Sequence, residues 1–245
     1  MSNLTEKVAL VTGGSRGIGA AIAKRLAKDG AAVAFTYASS PDKAETVRAD
    51  VEAGGGRALA LQADSADPRA VQAAVARAVE TFGRLDILVC NAGILLHGGI
   101  DAYPLEDFDR MIAVNVRSVF VAAQAAARHM GEGGRIVIIG SIVADKAFAG
   151  ASVYSMTKAA VAGLARGMAL DLAPRGITVN TVQPGPTITD MNPADSPRTE
   201  MVRSMIPLGR MGSADEIAGL VAYLAGPEAG YVTGSTLTID GGTTA

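Results

Sequence analysis

Short apolar runs alternate with longer amphipathic stretches from one end of the chain to the other, and this alternation sets the expected architecture. The runs VALV (8–11), AVAFTY (32–37), RALALQ (57–62), LDILVC (85–90), RIVIIG (135–140), ITVNTV (177–182) and TLTI (236–239) have the length and apolar content of strands. Between them lie Ala-rich segments of helical length near 18–29, 42–53, 68–82, 106–130, 152–172 and 214–225. Asp67 before Pro68 predicts a cap followed by proline at the first helical position, and Ser213 with Glu216 predicts a capping box. Pro174 and Gly176 predict the end of the helix over 152–172. Nearly continuous apolar strands belong to parallel sheets covered on both faces. With right-handed crossovers, the pattern predicts an α/β fold: one doubly wound parallel sheet of about seven strands, with helices on both faces. The long stretch 183–212 is irregular and holds five of the ten prolines. It predicts a flap at about 186–212 on a single domain spanning 1–245.

Composition narrows the partners. Hydrophobic residues make up 49% of the 245, with 29 glycines and no tryptophan, which suits small-residue helices packed closely on a sheet. A formal charge of −2 with scattered basic residues leaves no electrostatic footprint for nucleic acid or an anionic membrane. No segment approaches about 18 uninterrupted apolar residues, and the N-terminus has no apolar leader, so a soluble, cytoplasmic protein is expected. Cys90 is the only cysteine and ends an apolar run, which predicts a buried thiol and excludes an internal disulfide. No His/Cys/Asp cluster has metal-ligand spacing, so no metal site is expected.

The candidate chemistry sits where strands end. The first strand runs into TGGSRGIG (12–19), which opens a helix. Glycines at 13, 17 and 19 let the backbone turn tightly and approach a pyrophosphate at a helix N-terminus, so Gly13, Ser15, Arg16, Gly17, Ile18 and Gly19 are candidate nucleotide contacts. The second strand ends in Tyr37, Ala38, Ser39 and Ser40, with no carboxylate before Asp42 to hold a ribose 2′-hydroxyl. With Arg16 in the glycine turn, this favours a 2′-phosphate and hence NADP(H). The alternative for Arg16 is a solvated loop cation. Asp64 and Ser65 after the third strand either meet the adenine or form an Asx turn. Asn91, Ala92 and Gly93 after the fourth strand place small side chains beside the cofactor.

Tyr154 and Lys158 lie four residues apart in YSMTK, thirteen residues after Ser141. That spacing puts both on one helix face. An ammonium beside a phenol favours the phenolate, which predicts a Tyr154 pKa below its ordinary value of about 10. A tyrosine so tuned serves general acid–base catalysis, and a serine hydroxyl aimed at the same spot holds a carbonyl oxygen. Ile94, His97, Ile142, Val143, Phe148 and the flap near Met191 are expected to border the pocket.

TGGSRGIG, Asn91-Ala92-Gly93, Asn115, Ser141, Tyr154, Lys158 and Pro184-Gly185, in that order along nearly the whole chain, resemble the short-chain dehydrogenase/reductase family. The resemblance implies a seven-stranded Rossmann-type fold and hydride transfer between a nicotinamide and a carbonyl or alcohol. It implies Tyr154 as proton donor, Lys158 as its tuning partner and ribose contact, Ser141 as carbonyl holder, and Asn115 as holder of a relay water. On its own, Asn115 in an apolar helical setting reads as a buried structural amide. Pro184, Gly185, Thr187 and Thr189 are implied near the nicotinamide and diphosphate. Pro186 stands where the family usually carries a bulky apolar residue. The closest general likeness is to 3-oxoacyl-carrier-protein reductase-like carbonyl reductases. VQPGPTITDMNPADSP and GPEAGYVTGSTLTIDGG also resemble a subgroup that includes a cyclic-di-GMP-binding biofilm dispersal protein. The expected function is NADPH-dependent reduction of a small ketone or β-ketoester; the alternatives are a cyclic-dinucleotide-binding regulator and a 3-oxoacyl-carrier-protein reductase. The small-residue helices containing VAAQAAARHM and KAAVAGLARGMAL, together with the family's habit, predict a homotetramer.

Overall fold

Successive residues of the central strands bury into opposite faces of one sheet, which is why these runs carry no polar alternation. A computed structural model describes residues 4–190, 192–195 and 199–245. The strands are β1 (Val8–Val11), β2 (Ala32–Tyr37), β3 (Arg57–Gln62), β4 (Ile87–Cys90), β5 (Arg135–Ile139), β6 (Thr178–Pro184) and β7 (Thr236–Ile239). All pair in parallel, in the order β3-β2-β1-β4-β5-β6-β7. On one face α1 (Gly17–Lys28), α2 (Pro41–Ala53) and α8 (Ala214–Ala225) bury Ile22, Leu26, Val47 and Val221 against Ala9 and Val11. On the other, α3 (Pro68–Phe82), α5 (Ser118–Ala127) and α6 (Ser152–Leu172) bury Val75, Ala122 and Val161 against Val8 and Leu10. Two further helices, α4 (Leu105–Ile112) and α7 (Thr199–Ser204), lie in the connections.

The boundary signals work as their chemistry dictates. Asp67 accepts a hydrogen bond from the Arg69 amide at 2.8 Å, with Pro68 opening α3. Ser213 and Glu216 bond each other's backbone amides at 3.2 and 2.9 Å, closing the capping box of α8. After α6 a 3₁₀ turn over Ala173–Arg175 leads to Gly176 at φ 67°, the left-handed region that glycine reaches without strain.

Four elements differ from expectation. The helix expected over 106–130 is split by a π-helical turn, Ala113–Arg117, whose extra residue turns Asn115 toward the loop after β4. Strand β4 starts at Ile87 rather than Leu85. Asp86, just before it, spends its carboxylate on the Val8 amide at 2.9 Å and on Arg84. Strand β6 runs on to Pro184 and pairs with Ile239. The stretch 186–212 is only partly irregular. It contains α7 and the isolated bridges Thr187↔Gly212 and Thr189↔Asn192. Cys90 is buried as expected, and burial pushes its thiol up to about 12. Among the described residues no helix is long and apolar enough to cross a membrane, and no cluster of His, Cys, Asp or Glu would hold a metal ion.

Candidate active site and nucleotide cleft

In this strand order the chain reverses direction across the sheet between β1 and β4, and a crevice opens outside their carboxyl ends. Side chains from both strands hold it in shape. Thr12 Oγ1 accepts from the amides of Asn91 and Ala92 at 3.0 and 3.1 Å. Asn91 Nδ2 donates back to the carbonyls of Thr12 and Gly13 at 3.0 and 2.9 Å. Thr36 Oγ1, at the end of β2, accepts from the Gly13 amide at 2.9 Å. Gly13 itself sits at φ +66° against Ala92.

From there the turn enters α1. The first helical bond links the Ala20 amide to the Arg16 carbonyl at 3.1 Å. The amides of Gly17, Ile18 and Gly19 therefore have no helical acceptor, and α1 has no acidic residue in its first turn to occupy them. Such a helix N-terminus could hold an anion, and its shape fits a pyrophosphate. Arg16 is exposed at its rim, while Ser15 is buried beneath it. Ala38 and Ser39 are exposed beyond β2, with Tyr37 half-buried behind them. Asp64 forms the Asx turn, Oδ1 accepting from the Ala66 amide at 2.9 Å, with Arg110 3.7 Å from its other oxygen. Ser65 follows it, half-buried.

The catalytic candidates converge on the neighbouring strand end. Ser141 follows β5, and its Oγ accepts from the Val143 amide at 3.2 Å. Its hydroxyl lies near enough to the Tyr154 phenol to favour the phenolate. Ser155 Oγ donates to the Val143 carbonyl at 2.6 Å, which clamps the first turn of α6 to the Ser141 loop. Lys158 is buried, and its Nζ donates to the Ile139 carbonyl at 2.9 Å, 5.6 Å from the Tyr154 ring centre. A methyl group added at Gly93 would come within 3.5 Å of Lys158 Nζ and 3.6 Å of Asn115 Oδ1. Gly93 thus marks the place where the two groups meet the loop after β4.

The proton chemistry departs from expectation. Protein crowding around the half-exposed Tyr154 pushes its phenol up, and the neighbouring Ser141 hydroxyl only partly opposes this. A phenolate-favouring pull from Lys158 does not prevail. Burial also acts on the lysine and lowers its pKa from 10.5 to about 8, so its charge is itself disfavoured. Asn115 is a fully engaged amide: Oδ1 accepts from the Ile94 amide at 2.9 Å, while Nδ2 donates to the Ile94 carbonyl and to Thr157 Oγ1 at 2.9 and 3.1 Å.

Pro184 and Gly185 end β6 close to β7, where a Gly185 side chain would lie 2.6 Å from Asp240 Cα. Thr187 Oγ1 donates to the Gly185 carbonyl at 2.9 Å, and Thr189 passes over Gly17. Of the expected pocket border, Ile142 and Val143 are buried, and His97 and Phe148 face each other at 5.9 Å between ring centres. Met191 lies outside the described residues. Three threonines were missed in the sequence. Thr12 and Thr36 hold the glycine turn, and buried Thr157 links Asn115 to the Tyr154 carbonyl at 2.7 Å. Thr12 was legible as the residue between strand and glycines; Thr36 and Thr157 had no signal apart from a polar residue in an apolar run.

Replacing Gly19 by alanine would put a methyl group 2.2 Å from the Gly13 oxygen and 2.4 Å from Asn91 Nδ2, two anchored atoms. Gly19→Ala is expected to cost about 1–3 kcal/mol and to abolish nucleotide binding, as read by melting temperature and cofactor titration.

Known proteins place this geometry. A family model described as Enoyl-(Acyl carrier protein) reductase matches residues 13–244. The cyclic-di-GMP-binding biofilm dispersal mediator protein of Escherichia coli K12 is 49% identical, with 98% of each chain covered. A short-chain dehydrogenase/reductase from Serratia marcescens is 59% identical at a TM-score of 0.97, covering 99% of this chain and 100% of that one. A short-chain dehydrogenase from Burkholderia cenocepacia, solved in complex with NADP, is 57% identical with the same score and coverage. With its sheet order, glycine turn and Ser141–Tyr154–Lys158 cluster, the chain belongs to the short-chain dehydrogenase/reductase family of oxidoreductases.

Proposed function

We propose that the protein is an NADPH-dependent carbonyl reductase acting on small ketones or β-ketoesters. The observation that carries this reading is the convergence of Ser141 at the end of β5 with Tyr154 and buried Lys158 on the first turns of α6, next to the glycine turn. NADPH is the cofactor the residues fit. Arg16 rims the glycine turn, no carboxylate ends β2, and the Burkholderia relative was solved with NADP. When bound, the nicotinamide supplies a hydride to the carbonyl carbon. Ser141 and Tyr154 then meet the carbonyl oxygen as two donors, stabilising negative charge where it develops. Tyr154 passes its proton to that oxygen, leaving an alcohol. A raised pKa keeps the phenol protonated at neutral pH, the state a proton donor requires. Lys158 would support the phenolate that remains and could hold the cofactor ribose, while Asn115 positions Ile94 and α6 through Thr157.

The Escherichia coli relative favours a second reading, in which the chain binds a cyclic dinucleotide and acts as a regulator. A panel of ketones and β-ketoesters followed by NADPH absorbance separates the two. The reductase reading expects turnover that falls about 100-fold or more in Tyr154→Phe with the melting temperature kept. No turnover anywhere in the panel, together with tight cyclic-dinucleotide binding, selects the regulator.

The Lys158 pKa adds a pH test. A lysine lowered to about 8 keeps its charge below that pH and loses it as pH rises through it. NADPH affinity is therefore expected to be level below about 8 and to weaken above it, whereas Lys158→Met flattens the profile. The assembly proposed is a homotetramer built on α5 and α6, whose small-residue faces leave Phe120, Met156 and Leu170 exposed. A solution mass of four chains is expected at micromolar concentration; the mass of one chain would refute it.

A further inference from the structure

The segment 187–190 crosses the mouth of the nucleotide cleft and ends at Asp190, whose ion pair with Lys43 the proposed chemistry does not use. Thr189 lies over the glycine turn: a side-chain carbon at Gly17 would sit 3.4 Å from Thr189 Cβ and Cγ2. One residue further out on each segment are Arg16 and Asp190, both exposed. Asp190 forms an ion pair with Lys43, which stands in the first turn of α2, across the cleft and 147 positions away in sequence. Lys43 follows Ser39, Ser40, Pro41 and Asp42; no carboxylate stands at 38–40, which leaves room there for a 2′-phosphate. Lys43 and Arg16 together hold the Asp190 carboxyl below the usual carboxylate range, with Lys43 the stronger influence. The Asp190 carboxylate thus pairs with Lys43, with Arg16 close enough to act on it, beyond the end of β2.

We propose that Asp190 is a cofactor-discriminating residue whose carboxylate occupies the Arg16–Lys43 pair and is displaced from it by the 2′-phosphate of NADP(H). This rests on the NADPH reading above. The physical case is one of charge. Lys43 and Arg16 are the groups that would attract a phosphate monoester carrying about −1.5 to −2 at neutral pH. The same phosphate is repelled by the resident carboxylate, so Asp190 sets a limit on NADPH affinity. NADH presents two ribose hydroxyls there and neither gains from the cations nor competes with the carboxylate. Lys43 is then a second phosphate contact beside Arg16, supplied by α2.

The test is fluorescence titration of NADPH and NADH into the intact protein and into Asp190→Asn, Lys43→Ala and the double variant, at low and high salt. Exposed ion pairs are worth little, so the expected effect is modest: Asp190→Asn tightens NADPH about two- to fivefold and leaves NADH unchanged. Added salt shrinks the gain, and so does the Lys43→Ala background. Lys43→Ala alone weakens NADPH more than NADH. Unchanged or weakened NADPH binding in Asp190→Asn overturns the proposal, as does an equal change for both cofactors, which would mark a plain clamp on the cleft. A wild-type protein that binds NADPH no more tightly than NADH refutes the cofactor reading itself. An intact NADPH preference that Asp190→Asn fails to increase refutes only this inference.

Discussion

The site depends on how the carboxyl ends of β1 and β4 are held apart and yet joined. At that switch point the backbone groups past the strands lose their ladder partners, and unpaired buried amides and carbonyls are costly. Thr12, Thr36 and Asn91 supply those partners through five side-chain hydrogen bonds to backbone. Because they are satisfied, the glycine turn keeps a fixed shape without filling the crevice. Gly19 is the other half of the same constraint, since its missing side chain is what lets α1 press against the turn. An open crevice beside the first turn of α1 follows from this packing.

The proton-transfer side is built by similar means one strand further on. Lys158 would be an isolated charge inside the protein if it did not donate to the Ile139 carbonyl, and even so its ammonium is disfavoured. The fold tolerates this cost at the place where a cation is useful beside a phenol. Ser155 on the Val143 carbonyl and Thr157 between Asn115 and the Tyr154 carbonyl fix the first turn of α6 from two sides. Tyr154 is therefore placed by α6 and Ser141 by the end of β5, and the two stand near each other because Ser155 ties the elements together.

Much of this was legible in the sequence because the signals are local. Apolar runs at β1, β2, β3 and β7 gave strands with the observed bounds, and α3, α6 and α8 began and ended where caps, proline and glycine placed them. The π turn at Asn115 was hidden, since 106–130 has an unbroken helical pattern and the extra residue is selected by a tertiary contact with Ile94. Asp64 forms the Asx turn that its residue type allows, its Oδ1 accepting from the Ala66 amide. The Tyr154 pKa was misjudged because a four-residue spacing reports a neighbouring charge but not the burial that opposes it. Asp190 with Lys43 lay beyond any sequence signal, as only the crossing of the flap over α1 and α2 brings them together.

The central claim is that hydride and proton reach one carbonyl from two different sources, the nicotinamide and Tyr154. Supplying NADPH deuterated at the transferring position of its nicotinamide, with a ketone turned over in ordinary water, tests it most directly. The account predicts an alcohol with one deuterium on the carbinol carbon and a solvent-derived proton on its oxygen. An alcohol without the label, or no alcohol from any ketone despite bound NADPH, would contradict it.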